Sequence, residues 1–160
     1  MERFDWYQAT FHGVDEEDFI RYIERKSDLA DMRPCRAKNG YETGVEFSRI
    51  EKTVCQVWWG GNPGVHVIST GENAPEVSTW LRSFGVHRVT RLDSCIDFVT
   101  PGLFDAITDP LRAYAKEHDI AINMQGDWER GKARTLYLGS RKSTVQLVIY
   151  EKGYEAGGDL

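Results

Sequence analysis

The run Gly60-Gly-Asn-Pro-Gly64 constrains the fold more than any other feature of this chain. All five residues favour turns, through permitted positive φ angles, a fixed φ, or local side-chain hydrogen bonds. The run interrupts a region, Tyr41 to Ile68, that is rich in Val, Ile, Thr, Phe and Trp. β-Branched and aromatic side chains on both sides of a tight turn predict antiparallel strands, because they pack well on a pleated surface. Residues 41–68 are therefore predicted as an antiparallel meander.

A helix signal follows directly. Asn73 is predicted to cap, Pro75 lies in the first turn, Glu76 completes a capping box, and Val77, Trp80, Leu81 and Phe84 make one apolar stripe ending at Gly85. That stripe is expected to cover a sheet. Phe4 to Phe11 reads as a strand, and Asp15 to Leu29 as a helix with Phe19, Ile20, Tyr22 and Ile23 at helical spacing. Arg88 to Val99 reads as a strand. Thr100 and Pro101 open another helix, in which Pro110 should make a kink or a break, since it lacks an amide hydrogen. Two last strands, Thr135 to Leu138 and Thr144 to Glu151, flank a polar turn at residues 139–143.

Helices alternating with antiparallel strands predict an α+β fold: an antiparallel sheet with helices packed on one face, which two ferredoxin-like halves would satisfy. With 160 residues the chain is expected to form one domain, 1–153, followed by a flexible tail, 154–160. No stretch is apolar enough to span a bilayer and the N-terminus has no signal-peptide pattern, so a cytoplasmic protein with no membrane partner is expected. Three widely spaced cysteines suggest neither a disulfide framework nor a zinc knuckle. The net charge of -5 means that any nucleic-acid site must be a local basic patch.

Two runs carry candidate chemistry. In Arg91-Leu-Asp-Ser-Cys-Ile-Asp-Phe98 a period of two places Arg91, Asp93, Cys95 and Asp97 on one strand face. Two carboxylates on a rigid surface offer the hard oxygens that Mg²⁺ or Mn²⁺ takes, while the plainer alternative is a solvated face balanced by Arg91. In the last strand Gln146, Val148, Tyr150 and Lys152 share a face. A phenol ionises near pH 10, so Tyr150 would need a neighbouring cation such as Lys152 to attack a phosphodiester at neutral pH; otherwise it is an ordinary amphipathic strand residue.

Arg130, Lys132, Arg134, Arg141, Lys142 and Lys152 form a local basic cluster, and the Gly139-Ser-Arg-Lys142 turn could hold phosphates. Trp58 and Trp59 offer stacking surfaces for bases, although packing is expected to claim them. The four histidines show no metal-binding spacing, and His66 is read as structural.

Together, Thr90-Arg-Leu-Asp-Ser-Cys-Ile-Asp-Phe98, Tyr137-Leu-Gly-Ser-Arg-Lys-Ser143 and Ile149-Tyr-Glu-Lys-Gly153 resemble the rolling-circle replication initiation factors of phages and plasmids, the Rep_trans group. The resemblance implies an origin-DNA nickase acting on a hairpin or single strand. Tyr150 would be the nucleophile aided by Lys152, Asp93 and Asp97 would serve a divalent metal, Mg²⁺ or Mn²⁺, and Arg91, Arg134, Arg141 and Lys142 would contact DNA. Host replication proteins or a second copy of the chain would be further partners. Family members usually carry an arginine where this chain has Val148, and continue past the Tyr-Glu-Lys-Gly block into a strand bearing Arg and Glu. The alternative expectation is therefore a shortened, catalytically impaired module that binds DNA or a partner.

Overall fold

A computed structural model describes residues 3–28, 31–50 and 52–152. The expected tail, 154–160, lies outside them. Contacts cluster in two compact units, Met1–Asp97 and Phe98–Leu160; the expected domain, 1–153, spans both, and each unit is described by itself.

The first unit contains β1 (Arg3–Phe11), α1 (Glu16–Ser27), β2 (Asp31–Pro34), β3 (Tyr41–Arg49), β4 (Lys52–Gly61), β5 (Val65–Thr70), α2 (Ala74–Phe84) and β6 (Arg88–Cys95). Its six strands run in the order β2-β3-β4-β5-β1-β6, every neighbouring pair antiparallel. Within this sheet β1, α1, β4, β5, α2 and β6 form a β-α-β-β-α-β unit with strand order β4-β5-β1-β6, the ferredoxin-like arrangement, into which the β2–β3 hairpin is inserted. The predicted meander is β3, β4 and β5, joined at the expected glycine turn.

Alternation along the strands sorts the sheet into two faces. Tyr7, Ala9, Phe11, Phe47, Val57, Val65 and Val67 point to one side and pack with Phe19 and Ile23 of α1 and Val77, Trp80 and Leu81 of α2 in a single core. Both helices cover this one face, as their apolar stripes require. Asp15 caps α1, its Oδ1 accepting from the Asp18 amide at 3.0 Å.

The start of α2 differs from expectation. Asn73 belongs to a 3-10 turn, Gly71–Asn73, and its side chain donates to the Thr53 carbonyl at 3.3 Å instead of capping. The tertiary partner on β4 outcompetes the local one.

The second unit contains α3 (Leu103–Glu117), β7 (Ile122–Asp127), β8 (Lys132–Leu138) and β9 (Leu147–Tyr150), its strands forming an antiparallel sheet in the order β7-β8-β9. Ala115 of α3 packs with Leu136 and Leu138 of β8, supported by Leu111, Ile122 and Ile149. Pro110 neither divides nor ends α3, which runs as one helix through it. A register shift between Gln125 and Asp127 bends the β7–β8 pair, with Ala133 at φ 51° and Gly126 at φ 89°. A Cβ on Gly126 would collide with the Ala133 carbonyl, so this approach requires glycine. No helix among the described residues is long and apolar enough to cross a membrane.

Candidate functional site

In the first unit, β6 lies at the sheet edge beside β1, and its register pairs Gln8 with Arg91 and Trp6 with Asp93. Opposed residues share a face, so Arg91, Asp93, Trp6 and Gln8 stand together on the side away from the helices. The Arg91 guanidinium lies 3.9 Å from the Trp6 ring centroid, and its Nε donates to both oxygens of Asp93 at 2.9 and 3.2 Å. Hydrogen bonding to Asp93 holds Arg91 still further from deprotonation than usual. This is the balanced carboxylate considered from the sequence: Asp93 has a cation of its own.

The strand ends at Cys95, so the alternation expected to bring Asp97 onto the Asp93 face stops two residues short of it. Asp97 is exposed in the irregular stretch that follows. Among the described residues no three His, Cys, Asp or Glu side chains are grouped to hold a metal ion. Asp93, engaged by Arg91, and Asp97, off the strand, do not by themselves make a cation cage; a hard divalent ion would need further oxygens.

The two tryptophans of β4 point to opposite sheet faces, and both resolve into packing. Trp58 is 2% exposed, and Trp59 packs against the helix-side core. His66 is buried, its Nδ1 2.8 Å from Thr10 Oγ1 and its ring stacked 5.3 Å from Tyr41. Burial pushes its pKa down, as expected for a structural imidazole.

In the second unit the face of β8 carrying Leu136 and Leu138 turns toward α3, which leaves Thr135 and Tyr137 on the opposite face. Thr135 pairs with Gln125 on one side and Tyr150 on the other, and Tyr137 with Asn123 and Val148. Tyr150, 42% exposed, therefore stands at the end of β9 on the sheet face opposite α3, in a row with Thr135 and Gln125. Since β9 stops at Tyr150, strand alternation cannot be extended to Lys152, which is exposed two residues later. Arg141 and Lys142 are exposed on the turn after β8, where the Lys142 amide donates to Ser140 Oγ at 3.2 Å.

Arg134 is placed quite differently from the phosphate-binding role expected of it. Its side chain is 11% exposed; Nε and Nη2 donate to Glu151 at 3.2 and 2.9 Å, and Nη1 and Nη2 to Asp105 at 2.6 and 3.3 Å. Its amide also donates to Glu151 at 2.9 Å, and the Glu151 amide returns a bond to the Arg134 carbonyl at 3.1 Å. Phe104 and Trp128 flank the guanidinium at 4.4 and 5.7 Å. Arg134 thus joins α3 to β8 and the residue after β9, with four of its five N–H donors engaged by Glu151 and Asp105. The hydrogen bonds from Arg134 hold the Glu151 carboxyl below its ordinary value, against the opposing effect of burial. Glu151 points to the α3 side, opposite Tyr150, as alternation predicts.

Comparison with known proteins bears on this arrangement. Residues 87–160 match the family model of Rep_trans, replication initiation factor. A solved structure of the rolling circle replication initiator protein from Geobacillus stearothermophilus superposes with a TM-score of 0.64 at 23% identity, over 99% of this chain and 69% of that one. No curated protein matches the chain. The β6 block, the 139–143 turn and Tyr150 all fall within the matched segment. The chain is therefore Rep_trans-like: its second half carries the sequence pattern of the replication initiation factors, on a fold shared with a rolling-circle initiator.

Proposed function

We propose that this chain binds origin DNA, as a hairpin or single strand, and cleaves one strand through Tyr150. The observation that carries the reading is the position of Tyr150: exposed, at the end of a strand, on the sheet face opposite α3, inside the segment that matches the family. The phenol oxygen attacks phosphorus, the P–O3′ bond breaks, and the phenolic proton ends on the departing 3′ oxygen. The products are a 5′-phosphotyrosyl link and a free 3′-OH able to prime synthesis. Lys152 is the nearby cation in sequence that would favour the phenolate, and Arg141 and Lys142 would hold backbone phosphates. Arg91 would contact DNA from the first unit. The described carboxylates do not complete a site for Mg²⁺ or Mn²⁺.

The test is a covalent protein–DNA adduct from a hairpin oligonucleotide carrying the cognate origin, with Mg²⁺ or Mn²⁺ supplied. Tyr150→Phe is expected to abolish the adduct, and an adduct surviving that change would remove Tyr150 from the reaction. A second reading, binding without cleavage, is favoured by the engagement of Asp93 with Arg91. A gel shift with no adduct at any metal concentration would select it.

A further inference from the structure

At the end of the β7–β8–β9 sheet, on the Tyr150 face, lies a hollow of about 330 Å³ lined by Asn123, Gln125, Tyr137, Ser140, Arg141 and Gln146, among others. Its size falls within the range of small-ligand sites, about 300–1,000 Å³. Its side chains are oriented by one another: Tyr137 Oη donates to Gln125 Oε1 at 3.4 Å, and Gln146 Nε2 donates to the Gly139 carbonyl at 3.1 Å. Gln125 thereby keeps its NH₂ to donate, Gln146 keeps its carbonyl to accept, and Asn123 offers both. Gly139 makes the shape possible at φ 89°, since a Cβ there would sit 2.9 Å from the Val145 carbonyl and 3.1 Å from Ser143 Oγ.

The chemistry of the lining selects the ligand. Among the described residues no carboxylate lines the hollow, so a metal ion finds no charged ligand in them, and Arg141 is their single cation, too little for a cluster of free phosphates. Neutral amides beside a phenol ring match a planar group with alternating donors and acceptors. We propose that the hollow is a nucleobase pocket for single-stranded DNA, in which Tyr137 supplies a stacking face, Asn123 and Gln125 read the base edge, and Arg141 holds an adjoining phosphate.

The position fits the reaction. Tyr137 pairs with Val148, and Tyr150 lies two residues farther along β9 on the same face, a displacement of about 7 Å. A base in the hollow would thus belong to a nucleotide close to the phosphate presented to Tyr150. This inference rests on the reading of the chain as an initiator that binds single-stranded DNA, and it names the element that would give that binding base preference. Asparagine and glutamine pair best with the two-point edge of adenine, so adenine is the expected occupant.

The experiment measures binding of the full chain carrying Tyr150→Phe, which halts chemistry, to fluorescein-labelled oligo(dA), oligo(dC), oligo(dT) and an abasic oligomer of equal length. Oligo(dA) is expected to bind about ten-fold tighter than the abasic oligomer. Asn123→Ala with Gln125→Ala should bring oligo(dA), oligo(dC) and oligo(dT) to within about two-fold of one another, all still above the abasic oligomer through stacking on Tyr137, whereas Arg141→Ala should weaken all by a similar factor and flatten the salt dependence. Both amides are exposed, so their removal should leave the unfolding midpoint unchanged. Equal binding of all probes, or a base preference that survives loss of both amides, overturns the pocket but not origin binding. Absence of binding to every probe overturns the single-strand reading with it. Base preference without a covalent adduct by the unsubstituted chain leaves the pocket standing and removes the nickase.

Discussion

Replacing Arg134 by Met should destabilise the second unit by about 3 kcal/mol. Arg134 and Glu151 are 11% and 16% exposed, so their attraction is little screened and their loss is not recovered by water. Removing one member of a buried pair costs about 3–5 kcal/mol, mostly by leaving the other charge desolvated and unpaired. Asp105, 55% exposed, can rehydrate, which places the expected value at the lower end. Met retains an unbranched stem but not the guanidinium that lies against Phe104 and Trp128, so the change removes the charge together with those ring contacts. Urea unfolding followed by fluorescence, with Trp6, Trp58, Trp59 and Trp80 replaced by Phe in the reference chain so that Trp128 alone reports, is the readout, because that ring borders the guanidinium.

The double variant Arg134→Met with Glu151→Leu should recover much of the loss, since an apolar pair leaves no stranded charge. A shift below about 0.5 kcal/mol for Arg134→Met would refute the reasoning. So would a double variant as unstable as the sum of the singles. The pH dependence gives a separate check. Because the folded Glu151 carboxyl titrates below its ordinary 4.5, its contribution is complete above that pH and is lost as pH falls through the folded value. Glu151→Gln should remove that acid-side slope.

The burial of His66 sets a second pH dependence: its folded pKa lies below the ordinary 6.5, so stability is complete above about pH 6.5 and falls as pH drops through the window beneath it. His66→Gln should flatten urea midpoints between pH 7.5 and pH 5; an unchanged slope would show that another group titrates there. Cys55 is buried and its thiol is pushed up to about 12, so a thiol reagent should modify Cys35 and Cys95 in the folded chain and reach Cys55 only with unfolding. Modification of all three at equal rates would contradict the described core.

Much of the first unit was legible because its signals are local and agree with one another. The glycine turn, the β-rich segments around it and the stripe Val77, Trp80, Leu81 and Phe84 each specify one element with one apolar face, and elements with one apolar face must be layered. The strands missed were those without such a face. The β2 strand is exposed throughout, and β7 has the sequence Ile-Asn-Met-Gln-Gly-Asp, whose apolar–polar alternation lasts only four residues before Gly126 and holds a single β-branched side chain. Both form because a neighbouring strand supplies hydrogen-bond partners, which a single segment does not reveal.

The candidate site divides in the same way. The shared face of Val148 and Tyr150 and the opposite direction of Glu151 follow from period-two alternation and were visible in the sequence. Strand ends were not: β6 stops before Asp97 and β9 before Lys152, and each expected same-face pairing depended on one further turn of the pleat. Arg134 could not be told from Arg141 by its neighbours in the chain, since both lie in a basic run. Their difference comes from Asp105, 29 residues away, and from Glu151, 17 residues away. Sequence determined which residues can ionise, stack or alternate; only the tertiary structure decided which charges are already paired, because pairing depends on distance and solvent access rather than on order along the chain.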